Sequence, residues 1–192
     1  MLSQEKIIEV LKETSVMQEG HFLLTSGRHS DKYMQCARLF EYAEYSQMLC
    51  EELAKRFEGE KIDLVAGPAL GGVIMAYEVS RALGVRNIFA ERVDGKMTLR
   101  RGFSITPGQR VLLVEDVITT GGSVLELAEV VEANGGVVVG VGLIVDRSNG
   151  KIDLGYRTEA LLSMEVISYD AEDCPLCKQG LPINKPGSRN VK

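Results

Sequence analysis

The chain has 192 residues, of which 45% are hydrophobic and 26% are charged, and its formal net charge is −5. A chain of this size and composition is long enough for one globular domain with its own core. The acidic balance argues against non-specific binding to nucleic acid or to an anionic membrane.

The sequence carries no sign of export or of membrane insertion. No apolar run is long enough to span a bilayer, and the N-terminal residues mix charges with apolar positions as an amphipathic helix does, unlike a signal peptide. Four cysteines in a chain of this size do not indicate a secreted disulfide framework, so free thiols are predicted. We therefore expect a cytoplasmic protein with no membrane partner.

The N-terminal third predicts two helices around a short strand. Ser3 is a suitable N-cap for a first helix that reaches about Thr14, because apolar residues follow it at helical spacing. Residues 22–28 indicate a short strand that runs into a turn. A second helix is expected to end near Gly59. Its apolar stripe consists of Tyr42, Tyr45, Leu49, Leu53 and Phe57.

The middle of the chain alternates short apolar runs with helical patterns. Helices are predicted over 72–83, closed by Gly84, and over 124–133. Asp94-Gly95 is a hairpin turn signal with strand-like residues on both sides. The strands expected to be buried are 62–66, 88–91, 111–114 and 137–145. Continuous apolar strands that alternate with helices predict an α/β fold, with a parallel sheet covered on both faces. The polar tail from Lys185 to Lys192 is predicted to be mobile.

One segment of the predicted sheet combines acidic and phosphate-binding features. Glu115 and Asp116 follow a buried strand, and open α/β sheets bind ligands at the carboxyl ends of their strands. The loop after them consists of Thr119, Thr120, Gly121, Gly122 and Ser123 and leads into a helix. Small residues let backbone N–H groups surround a phosphate, and the helix N-terminus adds a favourable dipole. An acidic strand end before a capped helix is the simpler interpretation, but it leaves the coincidence of these features unexplained.

Over its whole length this segment resembles the phosphoribosyl-pyrophosphate signature of the type I phosphoribosyltransferases. The resemblance implies one domain over 1–192, with a core at about 60–150 and a small hood formed by about 1–40 and the C-terminal segment. It also implies that Glu115 and Asp116 hold the ribose hydroxyls, and that the loop after them holds the 5-phosphate. Mg²⁺ is the implied cofactor, bound mainly by substrate and water rather than by protein ligands.

A second loop of small residues fits the same family. Pro68, Ala69, Leu70 and Gly71 lie between a predicted strand and a predicted helix. Small residues permit close approach of the backbone, but a plain turn is an equally good interpretation of the loop by itself. Beside the first motif it resembles the pyrophosphate loop of the family, in which members often have a cis peptide bond. The resemblance implies that this bond is Ala69–Leu70.

The molecule that accepts the phosphoribosyl group is indicated by residues 22–33, which resemble the N-terminal signature of the orotate phosphoribosyltransferases. That signature is an apolar strand, a Ser-Gly-Arg turn and an aromatic residue, here Tyr33. The resemblance implies transfer of phosphoribosyl to N1 of orotate, giving orotidine 5′-monophosphate and pyrophosphate in pyrimidine biosynthesis. Arg147 would pair with the orotate carboxylate, since its guanidinium can form a bidentate fork. The residues implied to bind orotate are Thr119, Arg147, Ser26 and Tyr33.

Both acceptor assignments have simpler alternatives. Arg147 would otherwise form a surface ion pair with a neighbour such as Asp146. Ser26-Gly27-Arg28 would otherwise be a simple turn.

The predicted hairpin is rich in positive charge. In the orotate enzymes a flexible lid carries an arginine and, four residues later, a lysine, and Arg92 and Lys96 have that spacing. The resemblance implies that both residues contact pyrophosphate and act in catalysis together with Asp116. It also implies a homodimer with shared active sites, because the lid closes over the neighbouring subunit. A structural hairpin with a solvated face is the alternative.

The chain departs from the family pattern at several positions. Thr25 and Gly71 stand where well-known members carry lysines, and the lid lacks the usual histidine and second lysine. Arg100 or Arg101 is a candidate for supplying the missing charge. These departures concern pyrophosphate binding more than the choice of acceptor.

Cys174-Pro-Leu-Cys177 resembles half of a zinc knuckle. A tetrahedral zinc site needs four ligands, and CxxC alone is a weak signal. Nothing in the sequence places another ligand nearby, so we predict a C-terminal turn with two free thiols. The other possible ligands, regarded as isolated, are Cys36, Cys50, His21 and His29.

Two rival functions remain open. One is a phosphoribosyltransferase for another base, such as a purine, against which Arg147 and the Ser-Gly-Arg turn argue. The other is a regulator that senses phosphoribosyl pyrophosphate and binds nucleic acid without catalysis. The acidic balance, the short N-terminus and the charged hairpin argue against a regulator. The expected partners are the two small-molecule substrates, with no nucleic acid.

Overall fold

The computed structural model describes residues 1–24 and 26–186. The helices are α1 (Gln4–Glu13), α2 (Ala43–Lys55), α3 (Gly71–Leu83), α4 (Gly122–Ala133) and α5 (Pro175–Lys178), with a 3-10 helix at Cys36–Glu41. The strands are β1 (Met17–Leu23), β2 (His29–Met34), β3 (Leu64–Pro68), β4 (Arg86–Val93), β5 (Lys96–Leu99), β6 (Arg110–Ile118), β7 (Val137–Asp146) and β8 (Thr158–Ser163). Thr25 and most of the predicted mobile tail lie outside the described residues. Within the described part of the chain, no helix has the length and apolar character needed to cross a membrane.

A six-stranded sheet forms the centre of the molecule, in the order β5-β4-β3-β6-β7-β8. All neighbouring pairs are parallel except β4 with β5, which form an antiparallel hairpin at one edge. This arrangement confirms the predicted α/β fold. The strand β8 at the other edge was not predicted.

Two hydrophobic clusters cover the two faces of the sheet. Val65 belongs to one cluster with side chains of α1, α2 and α3, whereas its neighbours Leu64 and Ala66 belong to the other, with side chains of α4. Successive residues of a strand point to opposite faces, so β3, β6 and β7 each contribute to both clusters and are apolar over most of their length. The predicted coverage of both faces is therefore confirmed.

The helix ends follow the local sequence signals. Ser3 caps α1 by accepting a hydrogen bond from the Lys6 N–H at 3.3 Å. Gly84 ends α3 in the left-handed conformation, with φ of 69°. The second helix is shorter than predicted, because α2 ends at Lys55 and turns continue toward Gly59.

A separate antiparallel pair, β1 and β2, lies outside the central sheet. The C-terminal segment runs along this hairpin. Tyr169 exchanges both backbone hydrogen bonds with His29, and Asn184 pairs with β1 through the Leu23 N–H and the His21 carbonyl. The hairpin and residues 167–184 are thus one unit held by backbone hydrogen bonds.

Candidate active site

Glu115 and Asp116 are adjacent buried acids on β6, with exposed fractions of 9% and 8%. They lie within the strand and not after it as predicted, since β6 continues to Ile118. The Asp116 N–H donates to Glu115 Oε1 at 3.3 Å. Burial, reinforced by the charge of Asp116, raises the pKa of Glu115 to about 9, and burial also raises the pKa of Asp116. The pair therefore retains a proton at neutral pH, because nearby positive charge, that of Arg92, offsets the effect of burial only in part.

The predicted phosphate loop joins β6 to α4. Gly121 is the N-cap of α4 and has φ of 77°, a conformation that glycine adopts without strain. The N–H groups of the first helical turn have no partner within the helix and are available to an anion. Glu115 and residues 117–124 line a recess of about 80 Å³ there. Larger recesses along α2 contain no predicted site residue.

The predicted pyrophosphate loop contacts the acidic pair directly. The Ala69–Leu70 peptide bond is cis, as expected. A Cβ atom on Gly71 would lie 2.6 Å from Asp116 Cγ, much closer than non-bonded atoms approach. The backbone of this loop is therefore packed against the Asp116 carboxyl group. A side chain at position 71 would therefore require the Asp116 carboxyl group to move.

Arg147 follows β7, at the same end of the sheet as the acids. Its N–H donates to the Ile118 carbonyl at 3.0 Å, which ties the start of its loop to the end of β6. The alternative ion pair is not formed, because the Asp146 carboxylate instead accepts hydrogen bonds from Ser148 and Gly150. Arg147 Nε is buried and has no hydrogen-bond partner among the described residues. Burial lowers the pKa of Arg147, and nearby Cys36 and then Tyr33 offset part of this effect.

Of the other residues predicted to bind orotate, Thr119 lies in the β6–α4 loop, whereas Ser26 and Tyr33 lie on the β1–β2 hairpin. The Tyr33 hydroxyl donates to Gln35 Oε1 at 2.9 Å, and its ring centroid lies 5.7 Å from that of Phe22. Ser26 is exposed in a turn where the Leu24 N–H donates to the Arg28 carbonyl. The Ser-Gly-Arg segment is therefore a turn, and its role toward orotate stays a prediction.

The charged hairpin is formed as predicted, and Asp94 and Gly95 both have positive φ, of 50° and 82°. Arg92 forms two hydrogen bonds with Glu126 of α4, at 2.8 and 3.0 Å, and its Nη2 lies 3.5 Å from Ser123 Oγ. Arg92 is thus held beside the phosphate loop of its own chain.

The remaining cations of the hairpin differ in their partners. Arg100 and Arg101 both pair with Glu91, at 3.7 and 3.1 Å. Lys96 is exposed, and no ion pair with another described residue restrains it. Its closure over a neighbouring subunit stays a prediction.

The prediction that His21 and His29 are isolated was wrong. Their ring nitrogens and the sulfurs of Cys174 and Cys177 all lie within 4.8 Å of one another. No disulfide forms within the described ranges, as predicted. Sequence reasoning missed the cluster because about 150 residues separate the histidines from the cysteines, and CxxC was the only local signal.

Comparison with known proteins agrees with this geometry. A family model for the phosphoribosyl transferase domain matches residues 41–158. An orotate phosphoribosyltransferase of Pelotomaculum thermopropionicum is 60% identical over 190 residues, covering 99% of this chain and 100% of that protein. The chain belongs to the orotate phosphoribosyltransferase family. Another member, from Desulforamulus reducens, is 58% identical with the same coverage.

Solved structures of the family share the architecture. The orotate phosphoribosyltransferase of Mycobacterium tuberculosis H37Rv, in complex with inorganic phosphate, superposes with a TM-score of 0.69 at 27% identity, covering 84% of this chain and 95% of that one. The type I phosphoribosyltransferase fold expected from the sequence is thus confirmed.

Proposed function

We propose that this enzyme transfers the 5-phosphoribosyl group of phosphoribosyl pyrophosphate to N1 of orotate, giving orotidine 5′-monophosphate and pyrophosphate in pyrimidine biosynthesis. The observation that carries the proposal is the arrangement at the carboxyl ends of two neighbouring strands. A buried carboxylate pair and a phosphate loop follow one strand, and the unpartnered guanidinium nitrogen of Arg147 follows the other. Relatives 58% and 60% identical carry the name orotate phosphoribosyltransferase.

The sugar phosphate would be held by both ends of the β6–α4 connection. Glu115 and Asp116 accept hydrogen bonds from the two ribose hydroxyls, which satisfies carboxylates that are otherwise buried beside each other. The backbone N–H groups and hydroxyls of the loop donate to the 5-phosphate. The loop consists of Thr119, Thr120, Gly121, Gly122 and Ser123.

Orotate would be recognised by its carboxylate. Arg147 is only partly buried, but its Nε is buried without a hydrogen-bond partner from residues 1–24 and 26–186. The guanidinium gains a bidentate, charge-assisted pair when the carboxylate enters, which satisfies that buried N–H group. Tyr33, whose hydroxyl and ring are already oriented by Gln35 and Phe22, packs beside the orotate ring. Ser26 and Thr119 complete the acceptor subsite.

The leaving pyrophosphate would lie against the Pro68–Gly71 loop. The bond between ribose C1 and the pyrophosphate oxygen breaks with its electrons remaining on the oxygen, and C1 develops positive charge before N1 attacks with inversion and loses its proton. Arg92 and Lys96 stabilise the charge on the departing oxygens. Asp116, packed against Gly71, holds the sugar at a fixed position relative to the leaving group. Positioning and electrostatics would thus supply most of the rate enhancement.

Magnesium is part of the proposal. Glu115 and Asp116 fit a hard cation, because both present carboxylate oxygens, and a cation would favour the ionised forms that burial disfavours by raising both pKa values. When bound to the sugar pyrophosphate, Mg²⁺ would supply charge neutralisation of the leaving group. The substrate and water, rather than the protein, would provide most of its ligands.

We also propose a homodimer that works in the cytoplasm, with active sites shared between subunits. One supporting observation is a row of exposed apolar side chains on and just before α3, formed by Leu70, Ile74 and Tyr77. These positions share one face of the helix, and the row adjoins the pyrophosphate loop. A second subunit that covers this row would lie beside the active site.

The proposal is tested by following the absorbance of orotate with phosphoribosyl pyrophosphate and Mg²⁺, with EDTA or adenine in parallel reactions. We expect orotate to be consumed only with the metal, with formation of its nucleotide and no reaction of adenine. Turnover of adenine alone would assign the chain to a different base. Tight binding of the sugar pyrophosphate without any transfer would instead favour a regulatory protein.

A further inference from the structure

Four metal-binding side chains meet where the β1–β2 hairpin contacts the C-terminal segment. His21 lies on β1 and His29 begins β2, while Cys174 precedes α5 and Cys177 lies within it. Their ligand atoms all lie within 4.8 Å of one another. The two histidines and Cys174 are buried, and Cys177 reaches the surface. The cluster lies outside the acidic pair and the phosphate loop.

The distances match a shared tetrahedral centre. His21 Nε2 lies 3.1 Å from His29 Nδ1, and the two sulfurs lie 3.6 and 3.7 Å from His21 Nε2. Cys177 Sγ lies 3.3 Å from His29 Nδ1. Zinc–ligand bonds of about 2.05 Å to nitrogen and 2.3 Å to sulfur give tetrahedral edges of roughly 3.3 Å between nitrogens and 3.5 Å between nitrogen and sulfur.

Hydrogen bonds alone do not account for this arrangement. A ring nitrogen of histidine takes part in one good hydrogen bond, as donor or as acceptor. His21 Nε2 faces three groups at once: His29 Nδ1, Cys174 Sγ and Cys177 Sγ. One ring nitrogen can satisfy only one of these three groups, so the other contacts are favourable only when a cation lies between the four side chains.

The orientation of His21 is set from outside the cluster. Its Nδ1 lies 2.9 Å from the Leu181 carbonyl oxygen, which can only accept a hydrogen bond. The proton therefore resides on Nδ1, and the lone pair of Nε2 points into the cluster. A backbone carbonyl that fixes the tautomer of a ligating histidine is a common outer partner in zinc sites.

We propose that His21, His29, Cys174 and Cys177 form a structural Zn²⁺ site that joins the C-terminal segment to the β1–β2 hairpin. Two thiolates neutralise the ion, and four protein ligands leave no position for a substrate, so the site is structural rather than catalytic. On binding, each thiol releases its proton to solvent. This inference does not depend on the acceptor or on the activity proposed above.

The test begins with the stoichiometry of zinc. The full chain is purified without a polyhistidine tag under reducing conditions and analysed by elemental mass spectrometry, together with Cys177→Ser and Cys50→Ala. Cys177 is exposed, so its substitution removes a ligand without opening a cavity, whereas Cys50 is a buried thiol of α2 outside the cluster. We expect about one zinc per chain in the parent and in Cys50→Ala, and a loss of at least tenfold in Cys177→Ser.

Two further measurements distinguish a zinc site from free thiols and from a Cys174–Cys177 disulfide. Co²⁺ added to metal-stripped protein should give the intense visible spectrum of a tetrahedral thiolate site, absent in Cys177→Ser. Chelator should lower the Tm of the parent by roughly 5–10 °C and leave that of Cys177→Ser unchanged. Less than a tenth of an equivalent of zinc after supply of Zn²⁺, or a Cys174–Cys177 disulfide in freshly prepared reduced protein, would overturn the proposal.

Discussion

At the scale of single residues, the acidic pair of Glu115 and Asp116 links stability to function. The pKa of Glu115 is raised from 4.5 to about 9, so the folded protein disfavours its ionised form relative to the unfolded chain. The resulting penalty is absent below pH 4.5, grows as the pH rises and is complete above about 9. The protein is thus less stable at neutral and alkaline pH than it would be without this carboxylate.

Glu115→Gln removes the ionisable group while keeping its shape. We expect its Tm to exceed that of the parent above neutral pH, with a difference that widens up to about pH 9. We also expect kcat/KM to fall by roughly tenfold to a hundredfold, because the amide in Glu115→Gln cannot become the charged acceptor that Glu115 is proposed to be once ribose and Mg²⁺ are bound, and a hydrogen bond to a charged group contributes about 1.5–3 kcal/mol. Thermal melts from pH 5 to 9 and initial rates measure both effects. Glu129→Gln, at an exposed position of α4, is the control. If the plots of Tm against pH for the parent and for Glu115→Gln stay parallel from pH 5 to 9, the raised pKa of Glu115 is contradicted.

Arg147→Met tests the acceptor subsite. The KM for orotate should rise by roughly tenfold to a hundredfold, since the carboxylate loses its charged partner, while the KM for phosphoribosyl pyrophosphate changes little. Steady-state kinetics with each substrate varied in turn give both values. Arg86→Met, an exposed arginine at the start of β4, is the matched control. An unchanged KM for orotate would remove Arg147 from the site.

At the scale of secondary-structure elements, the β4–β5 hairpin carries the residues proposed to act on pyrophosphate. Lys96→Ala should slow turnover strongly, by about a hundredfold, and leave the affinity for orotate nearly unchanged, because the lysine acts on the leaving group. Rates and equilibrium binding of orotate are the measurements. Lys61→Ala removes an equally exposed lysine just before β3. Equal activity of the Lys96→Ala variant would exclude this lysine from the mechanism.

Gly84 at the end of α3 provides a test of stability alone. Its φ is 69°, and a Cβ atom there would meet no atom within 4 Å, so substitution is limited only by backbone conformation. We expect Gly84→Ala to cost about 1–2 kcal/mol and to lower Tm by roughly 2–8 °C. Gly84→Asn should cost less, because asparagine tolerates this conformation. Thermal unfolding that ranks the two variants in the opposite order would contradict the argument.

The elements that could be predicted from sequence are those with a strong local pattern. The strands β3, β6 and β7 of the central sheet are buried along most of their length and are therefore nearly continuous apolar runs, and Gly84 and Asp94-Gly95 mark the ends of elements. The strand β2 is mostly polar, and β8 is apolar only in part, so neither has such a pattern. Their position depends on contacts with distant segments, which a local pattern does not record.

The active site likewise combines residues that a local sequence pattern indicates with residues that only contacts between distant segments bring together. The β6–α4 connection is contiguous in sequence and could be predicted as a unit. The packing of Gly71 against Asp116, and the fixation of Arg92 by Glu126, join residues that are more than 30 positions apart. The histidine–cysteine cluster joins residues that are still farther apart in sequence, and no local pattern connects the segment of His21 and His29 with that of Cys174 and Cys177.

At the scale of the whole molecule, the exposed apolar row of Leu70, Ile74 and Tyr77 allows the proposed dimer with shared active sites to be tested. Ile74→Glu places a charge in the centre of the row, so we expect the variant to be monomeric and to lose most of its activity. Size-exclusion chromatography with light scattering gives the mass of each form. Val137→Glu alters an exposed apolar residue at the start of β7 and should leave the dimer intact. A monomeric parent with full activity would exclude the dimer proposal.

The pairing of β1 and β2 with residues near the C-terminal end has a consequence for biosynthesis on the ribosome. The proposed sugar-phosphate half of the site is built from β3, β6 and α4, which all precede residue 134 in the chain. The turn at Ser26, which is proposed to contact orotate, is flanked by strands that pair with Tyr169 and Asn184. The strands β1 and β2 therefore complete their pairing only after residues 169–184 have been translated, so the proposed phosphate site can form before the proposed acceptor site.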